Sequence, residues 1–200
     1  MKRLIIIGAS GHGKVAADIA RLNGYTDIVF LDDRETVKEC AGWPVVGRSD
    51  EAPDGPVFAA IGNASVRKRL MDFYKDREQP VLIHPSAIVA EDAEIGEGSV
   101  VMAGAVINPC VKIGRGAIVN TSSSVDHDCV LGDFVHVAVG AHLCGTVCVG
   151  DETWIGAGAT VSNNVTICGG CMIGAGAVVI KDIDVQGTYV GVPAKKIKER

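Results

Sequence analysis

A branched aliphatic residue recurs at every sixth position from Ile83 to Val185, and this period constrains the fold more than any other feature of the chain. The series runs through eighteen hexads without an insertion. Four residues after these positions, as at Ser99 or Ala159, the side chain is small or β-branched. A six-residue period matches neither an α-helix nor the alternation of a hairpin strand. It predicts a β-solenoid in which three hexads form one triangular coil, so residues 18 apart stack in a column.

The composition agrees with a narrow solenoid interior. Glycine accounts for 25 of 200 residues and hydrophobic residues for 48 %, whereas aromatic residues account for only 4 %. A chain so rich in aliphatic residues is not disordered. Glycines at the second and fourth hexad positions, such as Gly96 and Gly98, are expected to permit the turns.

The first 80 residues follow a different pattern. Short apolar runs at 4–7, 28–31 and 57–61 predict strands, and helical spacing follows the glycine turn at 8–13. Alternating strands and helices predict a small parallel sheet, that is, an α/β Rossmann-like βαβ domain. The boundary is expected near residue 80, which gives domains at 1–80 and 81–200.

Charge, cysteine content and hydropathy exclude several classes of protein. A net charge of −5 gives no electrostatic reason to expect nucleic-acid binding. We find neither a secretory leader nor an apolar run long enough to span a membrane, so no membrane partner is expected. The seven cysteines are an odd number and do not suggest a disulfide framework. A cytoplasmic, reduced protein is therefore expected.

His127 is the strongest candidate for a catalytic residue. It occupies the third hexad position, which points outward, and histidine is the usual proton acceptor near neutral pH. Asp126 or Asp128 could hold the imidazole, and the geometry of the corner must decide which. Gly145 lies one coil above His127, where its N–H could stabilise an oxyanion. The alternatives are a solvated histidine and an ordinary turn glycine.

The glycine turn at residues 8–13 predicts a phosphate cradle at a helix N-terminus. It is not a Walker A loop, because Val15 stands where Ser or Thr would hold Mg²⁺. Asp32 and Asp33, at the end of the next strand, could accept hydrogen bonds from a ribose or a base. A purely structural turn is the alternative.

Six short motifs, in this order, make the chain resemble a known family. They are the turn Gly8-Ala9-Ser10-Gly11-His12-Gly13, Phe30-Leu31-Asp32-Asp33, Ala60-Ile61-Gly62-Asn63, Asn120-Thr121, Asp126-His127-Asp128 and Val190-Gly191-Val192-Pro193-Ala194-Lys195. With the hexads, they resemble the hexapeptide-repeat acyltransferases. Within that family, they resemble the branch of bacterial UDP-4-amino-sugar N-acetyltransferases and sialic acid O-acetyltransferase-like proteins.

The resemblance implies a left-handed parallel β-helix, a homotrimer and acetyl-CoA as co-substrate. It implies a nucleotide-sugar substrate bound by the N-terminal domain, with contacts from Gly8, Ser10, Gly11, His12, Asp32, Asp33, Gly62 and Asn63. It implies coenzyme contacts at Asn120, His136, Gly145, Ala157, Ala175 and Lys195. Lys196 and Lys198 are further candidates for the coenzyme phosphates. Family members often carry Glu beside the catalytic histidine, so the shorter aspartate leaves the assisting residue open.

We therefore expect an acetyl-CoA-dependent N-acetyltransferase that acts on a nucleotide-linked amino sugar, such as a UDP-4-amino-4-deoxy sugar. Two alternatives stay open: O-acetylation of sialic acid or another sugar hydroxyl, and a non-catalytic trimeric scaffold that binds nucleotide sugars. No metal is expected. The γ-class carbonic anhydrases share this solenoid, but no two histidines here lie 18 or 36 residues apart.

Overall fold

A computed structural model describes residues 1–197 of the chain. The N-terminal domain is a five-stranded sheet with the order β3-β4-β2-β1-β5, parallel except for β3. Its elements are β1 (Arg3–Ile7), α1 (Gly11–Leu22), β2 (Asp27–Leu31), β3 (Glu39–Cys40), β4 (Trp43–Gly47), β5 (Val57–Ala59) and α2 (Ala64–Phe73). Buried aliphatic side chains of β1 form the centre of this sheet.

Helix α1 begins at Gly11, whereas the sequence pattern placed residues 8–13 in a turn. The reason is the close approach of this helix to β1. A Cβ atom on Gly13 would lie 2.0 Å from the Gly8 carbonyl oxygen and 3.0 Å from the Phe30 ring. Glycine in the first helical turn therefore allows the helix to start directly against the strand.

The rest of the chain is a β-solenoid of short strands, and the predicted fold class is confirmed. Its strands are β6 (Leu82–Ile83), β7 (Ile88–Val89), β8 (Glu94–Ile95), β9 (Val100–Val101), β10 (Val106–Ile107), β11 (Lys112–Ile113), β12 (Ile118–Val119), β13 (Ser124–Val125), β14 (Val130–Leu131), β15 (His136–Val137), β16 (His142–Leu143), β17 (Cys148–Val149), β18 (Trp154–Ile155), β19 (Thr160–Val161), β20 (Thr166–Ile167), β21 (Met172–Ile173), β22 (Val178–Val179), β23 (Thr188–Val190) and β24 (Lys195–Lys196).

These strands form three sheets, which are the flat sides of the solenoid. Sheet I contains β6, β9, β12, β15, β18, β21, β23 and β24; sheet II contains β7, β10, β13, β16, β19 and β22; sheet III contains β8, β11, β14, β17 and β20. Val125 pairs with Ile107 below and Leu143 above, which is the predicted 18-residue stacking. The hexad aliphatic residues fill the interior.

The two kinds of hexad glycine have different roles, which corrects part of the prediction. At the fourth position φ is positive, as at Gly98 (65°) and Gly116 (61°), so these glycines do make the turns. At the second position the requirement is close packing of the coils. A Cβ on Gly114, for example, would lie 2.7 Å from the carbonyl carbon of Gly132 in the coil above.

The hexad period fails at its last member. Ile167 pairs with Ile183, two residues earlier than the period requires, and Ile183 is buried. Val185, the predicted interior residue, is 59 % exposed. The final coil is therefore two residues shorter than those below it, and Tyr189 rather than a hexad residue pairs with Ile173.

The N-terminal domain packs against sheet I. Outward-facing Val100 and Ile118 belong to the same apolar cluster as Phe30 of β2. Arg67 of α2 is 1 % exposed and donates hydrogen bonds to the carbonyl oxygens of Gly116 (2.7 Å) and Phe134 (2.8 Å). A buried arginine thus links the helix to a solenoid corner through charge-assisted hydrogen bonds.

Within residues 1–197, no helix has both the length and the apolar character needed to cross a bilayer.

Candidate functional site

His127 lies at the corner between sheets II and III, directly after β13, with Asp128 beside it. The imidazole Nδ1 is 2.7 Å from the Asp128 carboxylate, and both side chains are 57 % exposed. Asp128 has a φ of 59°, a left-handed conformation that aspartate tolerates and that turns its carboxylate back toward the ring. This hydrogen bond raises the pKa of His127. Of the two predicted partners, Asp128 is therefore the one that contacts the imidazole.

Asp126 has a backbone role instead. Its carboxylate accepts hydrogen bonds from the His127 N–H (2.8 Å) and from Asn108 Nδ2 (2.6 Å), and these bonds lower its pKa, with the Asn108 bond as the larger cause. The sequence analysis missed Asn108. The 18-residue register could have revealed it, because Asn108 lies one coil below Asp126.

Gly145 lies against the His127 ring, as the stacking predicted. A Cβ atom on Gly145 would lie 2.5 Å from His127 Nε2, so a larger residue would displace the imidazole from this position. The neighbouring backbone is held by hydrogen bonds from Thr146 N–H to the His127 carbonyl (2.9 Å) and from Asn164 N–H to the Gly145 carbonyl (3.1 Å). No acceptor within the described residues pairs with the Gly145 N–H. Gly145 is itself buried, and it packs against the imidazole through its Cα.

Three of the predicted coenzyme contacts lie at a different corner, between sheets I and II. Asn120 follows β12, and the exposed Ala157 and Ala175 follow β18 and β21. The amides of Ala157 and Ala175 have no acceptor among residues 1–197. One chain thus brings His127 and Gly145 together at one corner, and Asn120 and the two alanines together at another.

His136, a further predicted coenzyme contact, is buried on sheet I. Its Nε2 lies 3.1 Å from Asn120 Nδ2, and its ring packs against Trp154 with the centroids 4.4 Å apart. Burial, with a smaller effect of Arg67, lowers the pKa of His136 to about 3, so the ring is neutral. Its Nδ1 is buried and has no partner in the described part of the chain.

His12 lies in the first turn of α1, at the same junction between the domains. Burial first, and then the charge of Arg67, lowers the pKa of His12 to about 4. Its Nε2 is also buried without a partner among the described residues. His12 adjoins Gly11 in the first turn of α1 and does not line the cavity that Gly8, Asp32 and Asp33 share.

Three predicted nucleotide contacts share one cavity. Gly8, Asp32 and Asp33 line a space of about 250 Å³ together with Arg34 and Arg69. Arg34, which the sequence analysis did not single out, binds the Asp32 carboxylate and is the main cause of its low pKa, about 2.

Both aspartates also hold the protein backbone. Asp32 accepts a hydrogen bond from the Ala9 N–H (2.8 Å), which fixes the glycine turn to the end of β2. Asp33 accepts hydrogen bonds from the Ser49 N–H (3.0 Å) and hydroxyl (3.1 Å), and these lower its pKa. The two carboxylates therefore shape the cavity that they line.

The remaining predicted contacts occupy element ends. Ser10 is the N-cap residue of α1 without a capping side-chain bond, and Gly11 has open space around its Cβ position. Gly62 accepts a hydrogen bond from Arg67 (2.9 Å), and the Asn63 side chain accepts one from the Val66 N–H (3.0 Å) as the cap of α2. Asn63 thus stabilises a helix end.

Near the C-terminus, Lys195 of β24 lines a cavity of about 320 Å³ with Tyr189, Pro193 and Ala194. Lys196 donates a hydrogen bond to the Gln186 carbonyl (2.7 Å). Lys198 lies outside the described residues. Across residues 1–197, no three His, Cys, Asp or Glu side chains are grouped so that they could hold a metal ion.

Comparisons with known proteins agree with this architecture. Residues 3–73 match the PglD N-terminal domain. The chain is 40 % identical over 114 residues to the UDP-N-acetylbacillosamine N-acetyltransferase of Bacillus subtilis, and the match covers 52 % of each protein. The chain thus matches about half the length of that curated relative.

Solved structures match over nearly the whole chain. The acetyltransferase domain of PglB from Neisseria gonorrhoeae is 42 % identical, with a TM-score of 0.95 over 98 % of this chain and 100 % of that one. PerB from Caulobacter crescentus, solved with CoA and GDP-perosamine, is 37 % identical, with a TM-score of 0.93 over 99 % and 98 % of the two chains. The expected resemblance is confirmed: the chain belongs to the PglD-like family of β-solenoid acetyltransferases.

Proposed function

We propose that this protein is a cytoplasmic, acetyl-CoA-dependent N-acetyltransferase that acts on the amino group of a nucleotide-linked amino sugar. The observation that carries the proposal is the His127–Asp128 pair with Gly145 packed against the imidazole. The relatives support the choice of substrates. The gonococcal PglB domain has been solved with acetyl coenzyme A, PerB with CoA and GDP-perosamine, and the Bacillus subtilis relative is named for a UDP-linked sugar.

In this proposal His127 is the general base. The Asp128 carboxylate accepts a hydrogen bond from Nδ1–H, which leaves the Nε2 lone pair free to take a proton from the attacking amine. As the amine nitrogen bonds to the thioester carbonyl carbon, the imidazole becomes an imidazolium that Asp128 stabilises. The same proton then passes to the departing CoA sulfur. Asp128 is thus a positioning residue, and His127 is the catalytic one.

Gly145 supplies the electrophilic part of the site. Its N–H, unpaired within the described chain, would donate to the carbonyl oxygen as that oxygen becomes an oxyanion. The stacking of residues 127 and 145 supports these roles, because the proposed base and the proposed donor lie in the same column and could act on one acyl group.

The nucleotide is proposed to bind in the N-terminal cavity. The N-terminus of α1, with Gly8, Ser10 and Gly11 before and at its first turn, favours a phosphate group. Arg34 and Arg69 add positive charge at the same cavity. We propose that Asp32, whose carboxylate already accepts four hydrogen bonds, keeps this cavity in shape. Asp33 accepts two hydrogen bonds from Ser49, and in this proposal it offers its remaining lone pairs to the ribose or the base.

The separation of the two corners supports a homotrimer. His127 and Gly145 lie between sheets II and III, whereas Asn120, Ala157 and Ala175 lie between sheets I and II. A coenzyme that contacts both groups needs them on facing solenoids. A neighbouring copy of the chain would supply the second group.

A thiol-release assay tests the proposal. Acetyl-CoA is incubated with UDP-, GDP- and dTDP-linked 4-amino sugars, with CMP-sialic acid and free sialic acid as hydroxyl acceptors. The proposal expects release with an amino sugar, and a UDP-4-amino-4-deoxy sugar is the first to try. Release with only a hydroxyl acceptor would overturn N-acetylation. Binding of the nucleotide sugar with no saturable acetyl-CoA binding would indicate a scaffold instead.

A further inference from the structure

Two cysteines face each other at the corner between sheets III and I. Cys168 and Cys171 flank a turn at Gly169 and Gly170, and their Sγ atoms are 3.5 Å apart. Both thiols are unbridged. The Cα atoms at the ends of a β-turn lie within about 7 Å, and disulfides span about 4.4–6.8 Å between Cα atoms. The turn therefore brings the two sulfurs into bonding reach without a change of fold.

The space for this pair comes from the shortened last coil. In the four coils below, the position that stacks under Cys168 is glycine: Gly96, Gly114, Gly132 and Gly150. A Cβ on Gly150 would lie 2.4 Å from the Gly169 nitrogen in the next coil. Above Cys168 the chain returns two residues early, and the Cys168 N–H bonds to the Ile183 carbonyl (2.8 Å). Of the five stacked positions, only that of Cys168, in the uppermost coil, has room for a side chain.

Thr153 holds both ends of the cysteine turn from the coil below. Its hydroxyl donates to the Cys168 carbonyl (3.1 Å) and accepts from the Cys171 N–H (3.2 Å). Cys129, at the same hexad position as Cys171, behaves differently, because its Sγ bonds to the backbone at Cys144 and Val147. The Cys171 sulfur instead faces the sulfur of Cys168.

We propose that Cys168 and Cys171 form a redox-active dithiol that closes to a reversible disulfide when it meets a low-molecular-weight disulfide such as oxidised glutathione. The half-buried Cys168 loses its proton and attacks the oxidant, which gives a mixed disulfide and releases one glutathione thiolate. The Cys171 thiolate then attacks the Cys168 sulfur and releases the second glutathione. Two S–H bonds are replaced by one S–S bond, and the oxidant takes both electrons as two thiols.

The order of attack follows from exposure. Cys171 is 2 % exposed, and burial raises the pKa of its thiol to about 11, so it is the slower nucleophile. The second step should therefore speed up as pH rises. This site is independent of the proposed acetyl transfer.

The dithiol also lies beneath the segment that closes the solenoid. Cys171 Sγ is 4.0 Å from the Val185 carbonyl, and the Gln186 side chain covers Gly170. Lys196 in turn bonds to the Gln186 carbonyl (2.7 Å). The proposed disulfide would therefore lie in contact with this segment.

The test is mass spectrometry after oxidation of the folded protein. The protein is equilibrated with reduced and oxidised glutathione, quenched in acid, alkylated and cleaved before aspartate. The fragment 151–181 contains Cys168 and Cys171 and no other cysteine. We expect the mass of this fragment to fall by two hydrogens and the fragment to carry no alkyl group. The disulfide form should outnumber the glutathione adducts of the same fragment by at least about tenfold, because a neighbouring thiol has a high effective molarity. Dithiothreitol should restore both thiols.

Exposed Cys110 serves as an internal control. Among the described residues its sulfur contacts Asp92 and no second cysteine, so its expected product is a mixed disulfide with glutathione. The Cys171→Ser variant should keep a glutathione adduct on Cys168 and lose the two-hydrogen deficit. If Cys110 reacts while fragment 151–181 keeps two free thiols or gains two glutathione groups, the proposal is overturned. The wild-type result decides this even if the variant fails to fold.

Discussion

Gly145 and His127 are in direct contact between successive coils of the solenoid: a Cβ atom on Gly145 would lie 2.5 Å from the imidazole Nε2. The contact brings Gly145, the proposed oxyanion donor, against the ring of the proposed general base. It also makes the position of the ring sensitive to a single methyl group.

Gly145→Ala should therefore lower kcat by about 10²-fold or more, because the methyl group displaces the imidazole and changes the position of the oxyanion donor. Steady-state kinetics with acetyl-CoA and the amino sugar would measure the change. Asn163→Ala is the matched control, since Asn163 is exposed at the same hexad position one coil higher. If Gly145→Ala is as active as Asn163→Ala, the contact between Gly145 and His127 does not have the proposed role in catalysis.

Asp128→Asn keeps a residue that tolerates the left-handed backbone but removes the negative charge at Nδ1. Because Asp128 raises the pKa of His127, its loss should shift the acid limb of the kcat profile to lower pH. We also expect kcat to fall by about tenfold or more, because the ring is no longer held in one tautomer.

Asp126→Asn is the companion variant. Asp126 contacts the His127 backbone and Asn108 rather than the ring, so its acid limb should move less than that of Asp128→Asn. The two pH profiles, measured on the same substrate, separate the roles. A larger shift for Asp126→Asn would reverse our assignment of the positioning residue.

The hexads predicted the solenoid well because its interior admits only one kind of residue at each sixth position. The same register placed Gly145 over His127. It could not choose between Asp126 and Asp128, because that choice depends on the left-handed φ of Asp128 at the corner.

Other features depend on contacts between segments far apart in the chain. Arg67 became a buried link only through carbonyl groups of two successive coils at one solenoid corner, and no local pattern marks it. The early start of α1 depends on the contact of Gly13 with Gly8. The shortened last coil replaces Val185 by Ile183, an aliphatic residue that the period alone did not select.

The two buried histidines predict how stability depends on pH. Their folded-state pKa values, about 4 for His12 and about 3 for His136, lie below the unfolded value of 6.5. Below that value the unfolded chain binds protons that the folded chain does not, so stability is lost as the pH falls from 6.5 toward 4. The slope approaches about 1.4 kcal/mol per pH unit for each histidine.

Urea unfolding at pH 7, 6 and 5 would measure this loss. His136→Gln removes one titrating ring and should flatten the curve. Identical slopes for the wild type and His136→Gln would show that the His136 ring does not titrate as described.

The central claim is that His127 takes the proton from the amine. His127→Ala should lower kcat by about 10²–10⁴-fold. Because the side chain is 57 % exposed, the unfolding midpoint in urea should stay close to that of the wild type. The decisive measurement is kcat of this variant with acetyl-CoA and the amino-sugar substrate identified by the thiol-release assay. The account predicts the large loss of kcat in a folded protein; a kcat within about threefold of the wild type would contradict it.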